Sequence, residues 1–160
     1  MIFITVGSQK FPFDRLIKKM DEICADHKNE LGTVFAQIGS SNYIPKYMEY
    51  VAYLNKKEFE QKIQTCSLLI THAAVGAMIS GLHNQKKIIA VPRLSSYGEH
   101  IDDHQLELGK ELDRLNYLCF VSNIDDIYNV IQKIQRTNLK RYNNSPERIV
   151  NYIEQLMIEN

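Results

Sequence analysis

The sequence predicts an α/β fold: a doubly wound, mostly parallel, Rossmann-like sheet. Three observations carry that expectation. Short apolar runs rich in β-branched and aromatic residues recur along the chain, helical periods separate them, and the runs are apolar at successive positions instead of alternating with polar ones. Strands that are apolar throughout are buried on both faces, and right-handed crossover helices above and below a parallel sheet supply that burial.

The elements follow in order. IFITV (2–6) is the first strand, and Phe13, Leu16, Ile17, Met20 and Ile23 repeat at helical spacing after it. TVFAQI (33–38) is the second strand. Residues 39–57, GSSNYIPKYMEYVAYLNKK, are less regular, with Gly39 and Pro45 as breakers and MEYVAYL as an extra strand. SLLIT (67–71) leads to a helix marked by Val75, Met78, Ile79 and Leu82. KIIAV (87–91) leads to one marked by Leu108, Leu112 and Leu115, and YLCFV (117–121) to one marked by Ile124, Ile127, Ile131 and Ile134. Residues 137–146 are polar and turn-rich, and Ser145 with Pro146 suits an N-cap and first helical position. Ile149, Ile153 and Leu156 then mark a C-terminal helix over 146–158.

At 160 residues the chain is expected to form a single domain over 1–160. Its 19 basic and 19 acidic side chains cancel, which argues against binding nucleic acid or an anionic bilayer through a general positive field. The 3 cysteines, Cys24, Cys66 and Cys119, are odd in number and never form a CxxC pair, so neither a disulfide framework nor a cysteine metal site is expected, and a reducing cytoplasm fits. MIFITVG lacks a basic n-region and a cleavage site and reads as a buried strand. CSLLITHAAVGAMISGL (66–82) is weakly charged but contains Thr71 and His72, and reads as core strand followed by core helix.

In open α/β sheets, ligands sit beyond the carboxyl ends of the strands, where loops enter helix N-termini with unpaired amides. The candidate loops are GSQKFPFD (7–14), THAAVGA (71–77) and PRLSSYGEHIDDHQ (92–105). Gly7, Ser8 and Gln9 offer close backbone approach, a hydroxyl and an amide; the same residues also suit a plain turn. His72, Ala73, Ala74, Val75, Gly76 and Ala77 form a small-residue turn through which a phosphate reaches helix amides, or simply a tight helix–sheet contact with a structural histidine. In YGEHIDDHQ (97–105), Glu99, His100, Asp103 and His104 have the types for a metal, whereas Asp102 or Asp103 also suits the N-cap of the next helix. Neither G-x-x-x-x-G-K-[ST] nor G-x-G-x-x-G occurs.

Taken together, VGSQ-x-PFDRLI, QIGSSNYIP, ITHAAVGAMISGL, KIIAVPR and YGEHIDDHQLEL resemble the small, donor-binding subunit of two-component bacterial exopolysaccharide glycosyltransferases, over residues 1 to about 120. That group is of the glycosyltransferase family 28 C-terminal domain type and forms one half of a GT-B architecture. The resemblance implies a site for a uridine diphosphate sugar: Gly7, Ser8 and Gln9 under the diphosphate, His72 to Ala77 presenting amides and imidazole to the phosphates, His104 and Gln105 on the sugar hydroxyls, Tyr53 and Leu54 at the uracil. It departs from the family pattern H-A-G-x-G-[ST] at Ala74 and Ala77, and carries Ser80 where many relatives have a glutamate.

The implied reaction is an inverting sugar transfer to a lipid-linked acceptor in exopolysaccharide or capsule synthesis, without a metal or other cofactor. Glu99 and His100 are candidate bases, and a partner is the alternative source of that base. One domain supplies one wall of a GT-B cleft, so a membrane-anchored partner subunit is implied, with the 146–158 helix reaching toward it and the chain held at the cytoplasmic face of the membrane. The competing readings are a noncatalytic nucleotide-sugar-binding scaffold and a metal-dependent phosphohydrolase built on Glu99 to His104.

Overall fold

The protein is described from a computed structural model, which describes residues 1–99 and 105–142. Six strands form one sheet: β1 (Ile2–Thr5), β2 (Val34–Gln37), β3 (Glu49–Val51), β4 (Leu68–His72), β5 (Lys87–Val91) and β6 (Cys119–Phe120). The order across the sheet is β3-β2-β1-β4-β5-β6, and every pairing is parallel. The helices are α1 (Asp14–Asp26), α2 (Lys28–Leu31), α3 (Lys56–Thr65), α4 (Val75–His83), α5 (Gln105–Arg114) and α6 (Ile127–Ile134).

Strand alternation sorts the core into two layers. Ile2 and Ile4 of β1, Leu68 and Ile70 of β4, and Ile89 and Val91 of β5 point to one face. There they meet Leu16, Ile17 and Met20 of α1 and Ile127, Ile131 and Ile134 of α6. Phe3, Leu69, Ile88 and Ala90 point to the other, against Ile63 of α3, Met78 and Leu82 of α4, and Leu108 and Leu112 of α5. Both faces are covered, as apolar parallel strands require. Gly81 and Gly109 let helices approach closely: a β-carbon at Gly81 would meet Ile88 and Leu69, and one at Gly109 would meet the Phe120 ring.

The doubly wound parallel sheet is as the sequence predicts, with differences in detail. β3 and β6 are shorter than MEYVAYL and YLCFV, because each lies at a margin of the sheet and pairs on one side only. Val75 does not join the buried stripe of its helix; it begins α4 beyond the sheet edge and is 40% exposed. The sequence reading also leaves out α3, whose apolar side is only Phe59 and Ile63. A capping box starts it: Asn55 accepts the Glu58 amide while Glu58 accepts the Asn55 amide. The expected N-cap at Asp102 or Asp103 and the expected helix over 146–158 lie outside the described residues.

Candidate functional site

The strand order reverses between β1 and β4. From β1 the chain leaves to α1 on one face; from β4 it leaves to α4 on the other. The carboxyl ends of these neighbouring strands therefore bound a crevice, the topological switch point where open α/β sheets receive ligands. The loops after Thr5 and after His72 meet there.

Gly7 has φ +76°, a left-handed conformation that favours glycine, and packs directly against the His72 imidazole. His72 is 5% exposed, with Nδ1 3.4 Å from the Thr5 carbonyl oxygen, while the Thr71 hydroxyl donates to the His72 carbonyl. Gly39, also left-handed, presses its backbone against the Gly7 carbonyl from the β2 side. The buried Gln37 side chain, at the end of β2, donates to that carbonyl at 3.2 Å and accepts the Leu54 amide at 3.3 Å. The Ser40 hydroxyl donates to the Gln9 carbonyl at 3.1 Å, so the Tyr53 hydroxyl, 2.8 Å away, donates to Ser40.

These contacts orient the loop. In a planar trans peptide, the carbonyl of one residue and the amide of the next point in opposite directions. With the Gly7 carbonyl held by Gln37 and the Gln9 carbonyl by Ser40, the Ser8 and Lys10 amides are turned away from those partners, and neither donates to an acceptor among the described residues. Across the crevice, α4 starts at Val75 after Ala74, an N-cap residue that supplies no side-chain bond, and the surfaces of Val75 and Gly76 are open. Its first amides and positive end are exposed to an anion.

The third loop, after β5, closes on the first. Arg93 is 1% exposed and donates to the Val6 carbonyl (2.6 Å), the Phe11 carbonyl (2.6 Å) and the Glu99 carbonyl (3.2 Å). Burial pulls its basicity down, partly offset by the nearby Glu99 charge. Arg15 of α1 grips the Glu99 carboxylate with two hydrogen bonds, 2.9 and 2.8 Å, and donates also to the Pro92 carbonyl. Glu99 accepts the Leu94 amide as well. Arg15 and Arg93 both lie over the Phe13 ring, and Arg15 over Tyr97.

On the β2 side, α1 secures the 42–47 segment through two acids. Asp14 accepts the amides of Asn42 and Tyr43, and buried Asp21 accepts the amides of Lys46 and Tyr47 and the Tyr43 hydroxyl. That last bond raises the Tyr43 phenol above the usual range, because ionising it would remove a proton donated to a carboxylate.

Of the residues singled out from sequence, the structure brings Gly7, Ser8, Gln9, Tyr53, Leu54 and the His72 to Ala77 turn around one crevice. Glu99 is buried and joined to Arg15, with each oxygen accepting at least one hydrogen bond, and its contacts hold two loops together. Gln105 begins α5, and His100, Asp102, Asp103 and His104 lie outside the described residues. The metal reading of Glu99 to His104 is left with Glu99 alone among the described residues. Gln37, Ser40, Arg15 and Arg93 were not singled out. Their signals are a lone polar residue ending an apolar strand (Gln37) and an arginine directly after the Pro92 that ends another (Arg93). A separate groove of about 640 Å³, lined in part by Cys24, Val34, Lys46 and Glu49, lies at the amino ends of β2 and β3, the edge away from this crevice.

Comparison with known proteins identifies the fold's lineage. The glycosyltransferase family 28 C-terminal domain matches residues 1–157. The chain belongs to this family. It is 27% identical over 110 residues to the UDP-N-acetylglucosamine transferase subunit ALG13 of Candida albicans, covering 69% of this chain and 33% of that protein. It is 28% identical over 127 residues to the Homo sapiens protein of the same name, covering 74% of this chain and 11% of that one. The chain thus spans a third or less of the length of these relatives. Among solved structures, an NMR solution structure of ALG13 superposes with a TM-score of 0.63 at 17% identity, covering 92% of this chain and 93% of that one. A crystal structure of the glycotransferase of kitacinnamycin gives 0.60 at 12% identity, covering 99% of this chain and 38% of that one. These likenesses show the fold, and the family 28 domain here is a glycosyltransferase domain.

Proposed function

We propose that the chain is the donor-binding subunit of a two-component inverting glycosyltransferase, taking a UDP-sugar at the β1–β4 crevice and passing the sugar to a lipid-linked acceptor in exopolysaccharide or capsule synthesis. One observation carries the reading: a left-handed Gly7 loop and the uncapped N-terminus of α4 flank the same switch point. Main-chain amides on both sides suit a diphosphate, and they do so without a metal. Tyr53 and Leu54, tied to this loop through Ser40 and Gln37, suit the uracil end. His104 and Gln105, as the resemblance implies, would meet the sugar.

In the reaction, an acceptor hydroxyl oxygen bonds to the anomeric carbon as the bond from that carbon to the β-phosphate oxygen breaks. The electron pair leaves with UDP, and a base takes the hydroxyl proton. Because Glu99 is engaged by Arg15, the base falls to His100 or to the acceptor-binding partner. No helix among the described residues is long and apolar enough to cross a membrane. As the resemblance implies, the proposed acceptor half is a membrane-anchored second polypeptide, with this chain recruited to it from the cytoplasm.

Calorimetric titration with UDP and with UDP-N-acetylglucosamine, in the presence of EDTA, tests the reading. Saturable binding without metal is expected; silence from both ligands overturns it. Reconstitution with the partner and a lipid acceptor then separates a transferring subunit from a noncatalytic one that binds the nucleotide sugar and nothing more.

A further inference from the structure

We infer that the buried guanidinium of Arg93, beneath the loop from Gly7 to Phe11, is the fixed countercharge for the ligand's diphosphate, a role many diphosphate sites give to a divalent cation. The inference deepens the donor-binding reading and rests on it.

Arg93 is 1% exposed, yet its hydrogen-bond partners are the main-chain carbonyls of Val6, Phe11 and Glu99, which carry no formal charge. The carboxylate beside it, that of Glu99, is taken by Arg15 in a bidentate pair and by the Leu94 amide. Among the described residues, two guanidinium groups therefore face one carboxylate, which leaves one positive charge in excess there. The preceding acid on α1, Asp14, is turned to the Asn42 and Tyr43 amides. Arginine does not lose its proton in proteins, so the charge persists despite burial. Arg93 Nε finds no partner among the described residues.

Burying a charge without a formal countercharge is costly, and the three carbonyls that Arg93 satisfies could be served by a neutral donor without that cost. What the charge gains is position. Its partners Val6 and Phe11 stand at either side of residues 7–10, the stretch whose Ser8 and Lys10 amides are turned away from Gln37 and Ser40. An anion on this loop meets those amides directly and the guanidinium through one layer of backbone, where low dielectric leaves the attraction poorly screened. Arg93 is thus an electrostatic positioning residue; it need not touch the ligand.

The test compares uridine, which has no phosphate, with UDP, in EDTA, on the full chain and its Arg93→Gln, Arg93→Lys and Glu99→Gln variants. Arg93→Gln is expected to weaken UDP by about tenfold or more while changing uridine less than about twofold. Arg93→Lys should recover most of the loss. Glu99→Gln raises the excess to two positive charges and should tighten UDP. Equal weakening of uridine and UDP in Arg93→Gln would reduce Arg93 to a mechanical clamp and overturn the inference, as would weaker UDP binding by Glu99→Gln. Should Arg93→Gln fail to fold, Glu99→Gln decides by the sign of its change in UDP affinity relative to uridine, since loosening the Arg15 pair would shift both ligands alike. A wild-type chain that binds no UDP defeats the donor-binding reading itself, and this inference with it.

Discussion

The His72 imidazole stands where a side chain on Gly7 would begin: a β-carbon added to Gly7 would lie 2.6 Å from Cε1 and 2.8 Å from Nε2 of the ring. The second residue after β1 and the last of β4 are thus fitted to each other. Gly7→Ala should cost about 1–3 kcal/mol, combining that clash with the left-handed backbone. Urea denaturation checks the figure. In Gly7→Ala/His72→Ala the clash is gone and the backbone strain stays, so only part of the loss should return.

Gln37 links the Gly7 side of the crevice to the Leu54 side by bonding both the Gly7 carbonyl and the Leu54 amide. Gln37→Leu keeps the volume but strands a partly buried carbonyl and a partly buried amide, at about 1–2 kcal/mol. Uridine and UDP should both bind more weakly, since both sides lose their common tie. Calorimetry on the two ligands distinguishes this from the phosphate-selective loss expected at Arg93.

Asp21 is 1% exposed and accepts two amides and a phenol from the 43–47 segment. Removing it in Asp21→Ala leaves those donors without an acceptor and should destabilise the chain by about 2–4 kcal/mol, with Asp21→Asn recovering part. The unfolding midpoint in urea reports the loss.

Cys24 is 3% exposed, and burial first, then the Asp21 charge, pushes its thiol up to about 11 from the ordinary 9.0. The folded thiol holds its proton more tightly than the unfolded one. The stability this contributes is therefore fully present below the ordinary thiol range and is lost as pH rises toward about 11. Iodoacetamide at pH 8 should modify native Cys24 far more slowly than the unfolded chain, read by peptide mass spectrometry.

The fold was legible because its signals are local. Ile2 to Ile4 and Ile88 to Val91 are apolar residue by residue, and the α1 period of Leu16, Ile17, Met20 and Ile23 is buried throughout. α3 was not, since two apolar side chains make too narrow a stripe; the Asn55–Glu58 capping box was its only strong mark. The crevice was legible as a place, because glycine and small residues after β1 and β4 announce close approach. Its support was not. The bonds from Gln37 to Gly7, from Arg93 to Val6 and from Arg15 to Glu99 join residues far apart in sequence, and no spacing rule connects them. Glu99 illustrates the difficulty: a carboxylate near two histidines invites a chemical role, and its nearest neighbour turns out to be an arginine 84 positions away.

Both margins of the sheet are brief, three residues in β3 and two in β6. Such stubs offer too little unsatisfied backbone to recruit a foreign strand by edge pairing. The proposed partner would then recognise this chain by its loops and helix surfaces, side chain against side chain, which makes the choice of companion selective and leaves the sheet itself poorly suited to runaway stacking.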